Sequence, residues 1–242
     1  MPHEVLGLIP ARGGSKSIPY KNIVKLGGHP LIAYSINAGR LSTRISRFTC
    51  STDDPRIADV CSTYKCPVLE RPEELAQDDT HIIDVIIDVL TKLDRNEGYR
   101  PDVIALLQPT SPFVLPGQID ESLQLLEHDN LAQSVQTIAA FPHNFHAFNQ
   151  REIEGGYVRF KFAQERARCY NKQSKPTLFS FGNFLATRRE ALLERQVFAE
   201  PSLAVTVPSP YALDVDGPED FELAEWYLNT GKVELPVILP KE

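Results

Sequence analysis

Cysteine is scarce in this 242-residue chain, and its four copies are scattered: Cys50, Cys61, Cys66 and Cys169 form no C-x-x-C pair. That spacing supports neither a zinc site nor a dithiol redox motif. Free, mostly buried thiols in a reducing, cytoplasmic setting are expected. Long apolar runs are missing too. No stretch approaches the ~20 apolar residues of a membrane-spanning helix, so no membrane partner is expected. The opening Met1-Pro2-His3-Glu4 lacks a basic lead and the apolar run after it is short, so no signal peptide is expected either. Positive charge is in deficit. A net charge of −7 argues against a general nucleic-acid binder. Two familiar phosphate loops are also lacking: there is no G-x-x-x-x-G-K-[ST] and no G-x-G-x-x-G. His81, His143 and His146 have no partners at metal-ligand spacing and read as surface or structural histidines.

What is present has the make-up of an ordinary globular protein, 42% hydrophobic and 24% charged, long enough for one large α/β domain spanning 1–242. The short apolar run Val5 to Ile9 reads as a buried strand. The segment that follows, Pro10-Ala11-Arg12-Gly13-Gly14-Ser15-Lys16-Ser17-Ile18-Pro19-Tyr20-Lys21-Asn22, is a loop broken by Gly, Ser and Pro. Arg12, Lys16, Lys21 and Lys25 stand against the single carboxylate Glu4 in the first 28 residues, a local excess of positive charge on an acidic protein. Backbone N–H groups freed by Gly13 and Gly14, clustered cations, and the small polar groups of Ser15 and Asn22 suit phosphate oxygens.

The rest of the chain alternates. Helices are expected over residues 30–41, 55–63, 80–93, 116–127, 188–195 and 218–228, and strands over 47–51, 68–69, 103–107, 134–138, 205–207 and 213–216. In the last helix Phe221, Leu223, Ala224 and Leu228 are expected to pack inward. The alternation implies an α/β fold, a mostly parallel sheet with helices on both faces. The rhythm breaks over residues 139–186, where Tyr157 to Phe162 looks like an exposed strand and no helix is evident. That β-rich stretch carries Phe141, Phe145, Phe148, Tyr157, Phe160, Phe162, Tyr170, Phe179, Phe181 and Phe184. So much apolar surface outside a core suggests a subunit contact, and a homodimer is the commonest solution.

Ligands of open α/β sheets sit outside the carboxyl ends of the strands. The polar motifs fall at such ends: residues 12–22 after the first strand, Ser51-Thr52-Asp53 after the second, Arg71-Pro72 after the third, and Gln108-Pro109-Thr110-Ser111-Pro112 after the fourth. Asp214 and Asp216 end a late strand, where residues i and i+2 share a face roughly 7 Å apart. On geometry alone that pair reads equally as ligands for one or two Mg²⁺ ions or as turn carboxylates before Gly217-Pro218. Arg71 reads alternatively as a surface Arg paired with Glu73 or Glu74, and Gln108 as a loop Gln satisfying backbone groups.

The run Ala-Arg-Gly-Gly-Ser-Lys-x-Ile-Pro-x-Lys-Asn resembles the opening signature of the acylneuraminate cytidylyltransferases, the CMP-sialic acid synthetases. Arg71-Pro72-x-x-Leu75-Ala76-x-Asp78 and the run Leu106 to Pro112 (LLQPTSP) are similar to further segments of that family, so the resemblance covers residues 5–127 and 212–228. It implies a Rossmann-like nucleotidyltransferase fold with an inserted dimerisation arm that covers the partner's sugar pocket, and a reaction joining CTP to a sialic-type (nonulosonic) acid with release of pyrophosphate. Ala11, Arg12, Gly13, Gly14, Ser15, Asn22 and Arg71 would hold the nucleotide. Gln108, Thr110 and Ser111 would face the sugar. Arg12, Lys16 and Lys21 would stabilise phosphate charge, and Asp214 and Asp216 would hold Mg²⁺. No side-chain base is evident, so a metal-lowered hydroxyl pKa is the expected activation. On the arm, Arg166 and Arg168 are candidates for the sugar carboxylate. Two departures bear on the acceptor. Phe113-Val114 stand where relatives commonly have Leu-Arg, and Phe181-Gly182-Asn183-Phe184 replaces a common Asn-Gly pair. The alternatives are a CMP-Kdo synthetase-like enzyme for another 2-keto sugar acid, or a non-catalytic nucleotide- or glycan-binding protein on the same fold.

Overall fold

The computed structural model describes residues 4–169, 171 and 174–238. The strands are β1 (Val5–Pro10), β2 (Lys25–Leu26), β3 (His29–Pro30), β4 (Arg47–Thr52), β5 (Val68–Glu70), β6 (Val103–Leu106), β7 (Ser134–Ala140), β8 (Arg151–Glu154), β9 (Tyr157–Phe160), β10 (Phe179–Arg188) and β11 (Ser202–Thr206). The helices are α1 (Leu31–Leu41), α2 (Pro55–Thr63), α3 (Ile82–Glu97), α4 (Pro116–His128), α5 (Ala163–Arg168), α6 (Arg189–Leu193) and α7 (Pro218–Asn229).

Among the described residues seven strands form one sheet in the order β11-β7-β10-β6-β1-β4-β5. All neighbours are parallel except β10, which runs antiparallel to both β6 and β7. The two faces follow the two-residue period of β1. Val5 and Ile9 enter a core with residues of α1, α2, α4 and α7, while Leu6 and Leu8 enter a second core with Ile83, Ile86, Val89, Leu90 and Leu93 of α3 and Leu192 of α6. A strand buried on both faces has no reason to alternate, which is why VLGLI reads as a continuous apolar run. The chain goes from β1 outward to β4 and β5, then returns through α3 to β6 on the other side of β1. The strand order therefore reverses between β1 and β6, where a crevice opens at the carboxyl ends.

Three expectations are corrected. Residues 139–186 are not one insert. β7 runs on to Ala140, and Phe179–Arg188 is a ten-residue strand of the central sheet, with Phe184 fully buried in the core. Only the stretch between β7 and β10 leaves the sheet, as the β8–β9 hairpin and the short helix α5, where no helix was expected. Tyr170 lies outside the described residues. β10 escaped recognition because it bends. Its pairing to β7 shifts register between Phe181 and Leu185, and the Thr137 hydroxyl accepts the N–H groups of Asn183 (2.8 Å) and Phe184 (2.9 Å). A Cβ on Gly182 would stand 2.5 Å from Thr137 Oγ1, so glycine is needed at this bulge. Asn183 is buried and donates to Gln118 Oε1 (3.1 Å) and the Tyr211 carbonyl (2.9 Å). The departure at Phe181 to Phe184 is thus a satisfied structural device, and the departure at Phe113-Val114 consists of two buried core residues.

Secondly, residues 213–216 form no strand; they run irregularly between a 3₁₀ turn (Ser209–Ala212) and α7. Thirdly, Leu223 of α7 is exposed, whereas Ala224 is buried and Phe221 and Leu228 pack against the core.

Candidate active site

The loop after β1 is a clasp closed by its own residues. Asn22 Nδ2 donates to the Arg12 carbonyl at 2.9 Å, joining the loop's two ends. Gly13 N–H donates to Asp53 Oδ1 at 3.0 Å. A Cβ at Gly13 would lie 2.4 Å from Asp54 Oδ2, so the loop can press against the α2 N-cap only because residue 13 has no side chain. Asp54 cannot yield easily. It is 6% exposed, and its Oδ1 accepts from the backbone N–H (2.8 Å) and Nε (3.0 Å) of Arg56. The same Arg56 guanidinium lies 3.7 Å from the Tyr20 ring centroid, over a residue with φ of 53°. The stack secures the left-handed turn from which Lys21 and Asn22 project.

Around this clasp a cleft of about 510 Å³ opens over the β1–β6 crevice. Of the sequence-predicted residues, Arg12, Gly14, Ser15, Lys16, Lys21, Asn22, Arg71, Gln108, Thr110 and Asp216 line it. Ala11, Gly13, Ser111 and Asp214 are not among the lining residues: Ala11 is buried with its N–H on the Ser51 carbonyl (3.0 Å), and buried Ser111 donates from Oγ to exposed Asp214 Oδ1 (3.2 Å). The reading of Arg71 as a surface residue is corrected. It is 6% exposed, and its guanidinium donates to Ser51 Oγ (3.2 Å) and the Ser51 carbonyl (2.8 Å) instead of reaching Glu73 or Glu74. Burial pulls its pKa below the ordinary arginine value, and Asp53 partly offsets this. Gln108 fixes the next loop through its backbone: its carbonyl accepts from Ser35 Oγ (2.9 Å) and Ser111 N–H (3.1 Å).

Asp214, Val215 and Asp216 are stitched to both loops. Val215 is fully buried, its N–H donates to the Thr110 carbonyl at 2.7 Å, and its carbonyl accepts from Lys21 Nζ at 2.7 Å. Ser17 Oγ donates to the Asp216 carbonyl. With Val215 turned inward, Asp214 and Asp216 are both exposed. The Asp216 side chain is 81% exposed with Lys21 Nζ at 3.5 Å, and Lys21 itself is only 12% exposed. A carboxylate has about four acceptor sites, so one neighbour each leaves both groups with oxygen lone pairs to give. Such hard oxygen donors suit Mg²⁺. Among the described residues no three His, Cys, Asp or Glu side chains form a ready metal cluster, so phosphate oxygens and waters would have to complete the shell, as is usual for Mg²⁺.

Sequence reasoning placed no role on Gln77, Asp78, Thr80 or the apolar wall of Leu75, Ile82 and Val85, all of which line the cleft. Asp78 binds Arg12 Nη1 at 2.8 Å through Oδ1 and Lys16 Nζ through Oδ2. The hydrogen bond from Lys16, with that from Arg12 behind it, holds its carboxyl below the usual carboxylate range. A signal existed, since Asp78 closes the segment that begins at Arg71. Arg166 and Arg168 lie on α5. Arg166 is engaged within the arm, donating to Asn149 Oδ1 (2.7 Å) and lying 4.2 Å from the Phe160 ring centroid. His146 is likewise occupied: Nδ1 accepts from Phe148 N–H (3.1 Å), which leaves Nε2–H to donate to the Pro176 carbonyl (2.9 Å).

A family model described as cytidylyltransferase matches residues 6–181 of this chain. The chain belongs to the cytidylyltransferase family. It is 30% identical over 224 residues to a CMP-N,N'-diacetyllegionaminic acid synthase of Legionella pneumophila, covering 92% of this chain and 95% of that protein. It is 31% identical over 222 residues to an N-acylneuraminate cytidylyltransferase of Escherichia coli, covering 91% of this chain but 51% of that one. The chain thus spans about half the length of that relative, and the same holds for an N-acylneuraminate cytidylyltransferase of Danio rerio (27% identical, 50% covered). Among solved structures, a CMP:2-keto-3-deoxy-manno-octonic acid synthetase complexed with CTP superposes with a TM-score of 0.70 at 16% identity, over 94% of this chain and 99% of that one. A 4-diphosphocytidyl-2C-methyl-D-erythritol synthase of Anaerococcus prevotii gives 0.62 at 14% identity, over 94% and 96%. At those identities the two structures establish the nucleotidyltransferase fold of this cytidylyltransferase. No helix among the described residues is long and apolar enough to cross a membrane.

Proposed function

We propose that this cytidylyltransferase joins CTP to a nonulosonic, sialic-type acid, giving the CMP-sugar and pyrophosphate. The observation that carries the reading is the closed basic clasp of residues 12–22 facing Gln108, Thr110 and Asp216 across one cleft. The anomeric hydroxyl of the sugar acid attacks the α-phosphorus of CTP, the bond to the bridging oxygen breaks, and pyrophosphate leaves. The chain's own contribution is positioning and charge. Arg12, Lys16 and Lys21 neutralise phosphate oxygens, and Gly14 and Ser15 sit where a phosphate chain passes. Buried Arg71, fixed on Ser51, holds the nucleotide end of the cleft. Gln108 and Thr110 face the acceptor. Asp214 and Asp216 would hold Mg²⁺, which when bound supplies further neutralisation of phosphate charge.

The protein works in this reading as a cytoplasmic homodimer. Exposed Phe145, Ile153, Tyr157 and Val158 crowd the stretch between β7 and β10, as an interface would require. A screen of CTP with several nonulosonic acids and with Kdo, reading pyrophosphate, tests the chemistry. Turnover with a nonulosonic acid is expected. Turnover with Kdo alone would move the enzyme to the alternative acceptor, and none with any acid despite CTP binding would leave a nucleotide-binding protein. Sedimentation at micromolar concentration tests the assembly, and a fully active 27.1 kDa monomer would overturn the dimer.

A further inference from the structure

Asp78 stands in an unusual place for a carboxylate. It lies on the segment after β5, yet its two oxygens reach across the cleft mouth and take one cation each from the clasp after β1: Arg12 at 2.8 Å, and Lys16. Both cations line the cleft, as does Asp78 itself. Of the clasp's other carboxylate partners, exposed Asp216 stands 3.5 Å from Lys21 Nζ, and two serve the fold of the clasp itself. Asp53 accepts the Gly13 N–H, and Asp54 is buried as the cap of α2. Asp78 is half exposed, and its neighbours Gln77 and Asp79 are exposed too.

We propose that Asp78 is a built-in counter-ion for the polyphosphate subsite, holding Arg12 and Lys16 in the free enzyme and giving them up when a phosphate chain arrives. This rests on the reading of the cleft as a CTP site. The reasoning is electrostatic. A single carboxylate bridging two cations occupies the position that a phosphate group bearing more charge would take. Two anions cannot share those cations at hydrogen-bond distance without strong repulsion. Asp78 therefore competes with every polyphosphate that enters. It keeps Arg12 and Lys16 ordered before binding, and it favours the departure of pyrophosphate by re-pairing afterwards.

The test is calorimetric titration of inorganic tripolyphosphate, in EDTA and at low ionic strength, into the whole protein and into Asp78→Asn, Asp78→Ala and Asp79→Asn. Asp79 is the control, since it carries the same charge one residue away from the contact. Exposed ion pairs are individually weak, so removing both should tighten tripolyphosphate roughly threefold to tenfold in the two Asp78 variants. Asp79→Asn should change it by less than about twofold. Pyrophosphate should become a correspondingly stronger product inhibitor of both Asp78 variants. Unchanged or weaker tripolyphosphate binding in folded Asp78 variants would overturn the counter-ion role, as would equal tightening in Asp79→Asn, which would reduce the effect to net charge. If CTP binds but tripolyphosphate binds none of the proteins, the phosphate assignment of the clasp fails, and the counter-ion role with it.

Discussion

Replacing Gly13 with alanine tests the architecture of the clasp with one methyl group. The new Cβ would lie 2.4 Å from Asp54 Oδ2 and 2.7 Å from Asp54 Cβ, about an ångström inside ordinary contact. Asp54 is held by Arg56 through both carboxylate oxygens, at 2.8 and 3.0 Å on Oδ1 and 2.5 Å on Oδ2, and it caps α2. The loop must therefore move, and the bond from Gly13 N–H to Asp53 is lost or stretched. Overpacking of this kind costs about 1–3 kcal/mol. At about 2 kcal/mol a domain of this size loses roughly 4–8 °C in Tm. The functional loss should exceed what stability alone would give, because Arg12 and Gly14, which line the cleft, flank the displaced residue, and a shift near 1 Å would misplace both of their proposed phosphate contacts at once. CTP affinity should fall roughly tenfold or more. Differential scanning fluorimetry and CTP titration on the same preparation separate the two effects. A Gly13→Ala protein with wild-type Tm and wild-type CTP affinity would refute the claim that the clasp is seated against Asp54.

Asp216→Asn and Asp214→Asn should each abolish most turnover while leaving Tm nearly unchanged, and should weaken the dependence of activity on Mg²⁺ concentration; near wild-type turnover in Asp216→Asn would end the metal assignment. Lys21→Ala removes a charged donor at 2.7 Å from the Val215 carbonyl, so it should lower both stability, by about 1.5–3 kcal/mol, and CTP affinity, by roughly tenfold, whereas Arg12→Ala should affect CTP affinity and spare stability. A thermal melt that drops equally in both variants would count against the buried tether. Asp120 is penalised by burial, but hydrogen bonds from Ser42 and Thr43 outweigh that and depress its pKa. A depressed carboxyl contributes stability above the unfolded value near 4 and loses it as pH falls through its lower folded value. The stability gap between wild type and Asp120→Asn should therefore be constant from pH 5 to 7 and close below about pH 4; a gap that widens on acidification would contradict the assignment.

The parts legible from sequence were those whose cause is local. β1 and β6 are short apolar runs because both of their faces are covered, and α3 shows its period because one side of it packs on Leu6, Leu8 and Ile104. The Pro55 start of α2 follows from a cap written in the adjacent Asp54. The β2–β3 hairpin was not expected, although the Gly27-Gly28 pair between its strands is a local cue for it. β10 was hidden because its central Gly182-Asn183 looks like a loop signal, and only the Thr137 hydroxyl, 46 residues away from Asn183, makes that pair compatible with a sheet. The burial of Arg71 was equally invisible: its nearby Glu73 and Glu74 suggested surface pairs, whereas its partner Ser51 lies on the neighbouring strand. Asp78 sits inside a recognisable segment, but its bonds to Arg12 and Lys16 exist only because the segments after β1 and β5, with β4 between those strands, meet over one cleft.

Asp214 and Asp216 are both exposed with no strand to hold them, and of the two Asp216 lines the cleft. A strand would have placed both carboxylates on one side through its pleat, but this segment has no strand partners of its own. Its conformation is set at the residue between them. Val215 is driven inward by burial, its N–H is taken by Thr110, and its carbonyl is taken by Lys21. With the middle residue fixed at both backbone groups, its neighbours on either side are turned out together. Lys21 belongs to the clasp and Thr110 to the loop after β6, so the same two bonds also tie the clasp, the loop after β6 and the carboxylate pair together. A site whose work is positioning gains most from such fixed spacing, because its donors are then in place before any ligand arrives. The exception is the contact of half-exposed Asp78 with Arg12 and Lys16, which in the proposed reading falls where the largest charge would enter and leave.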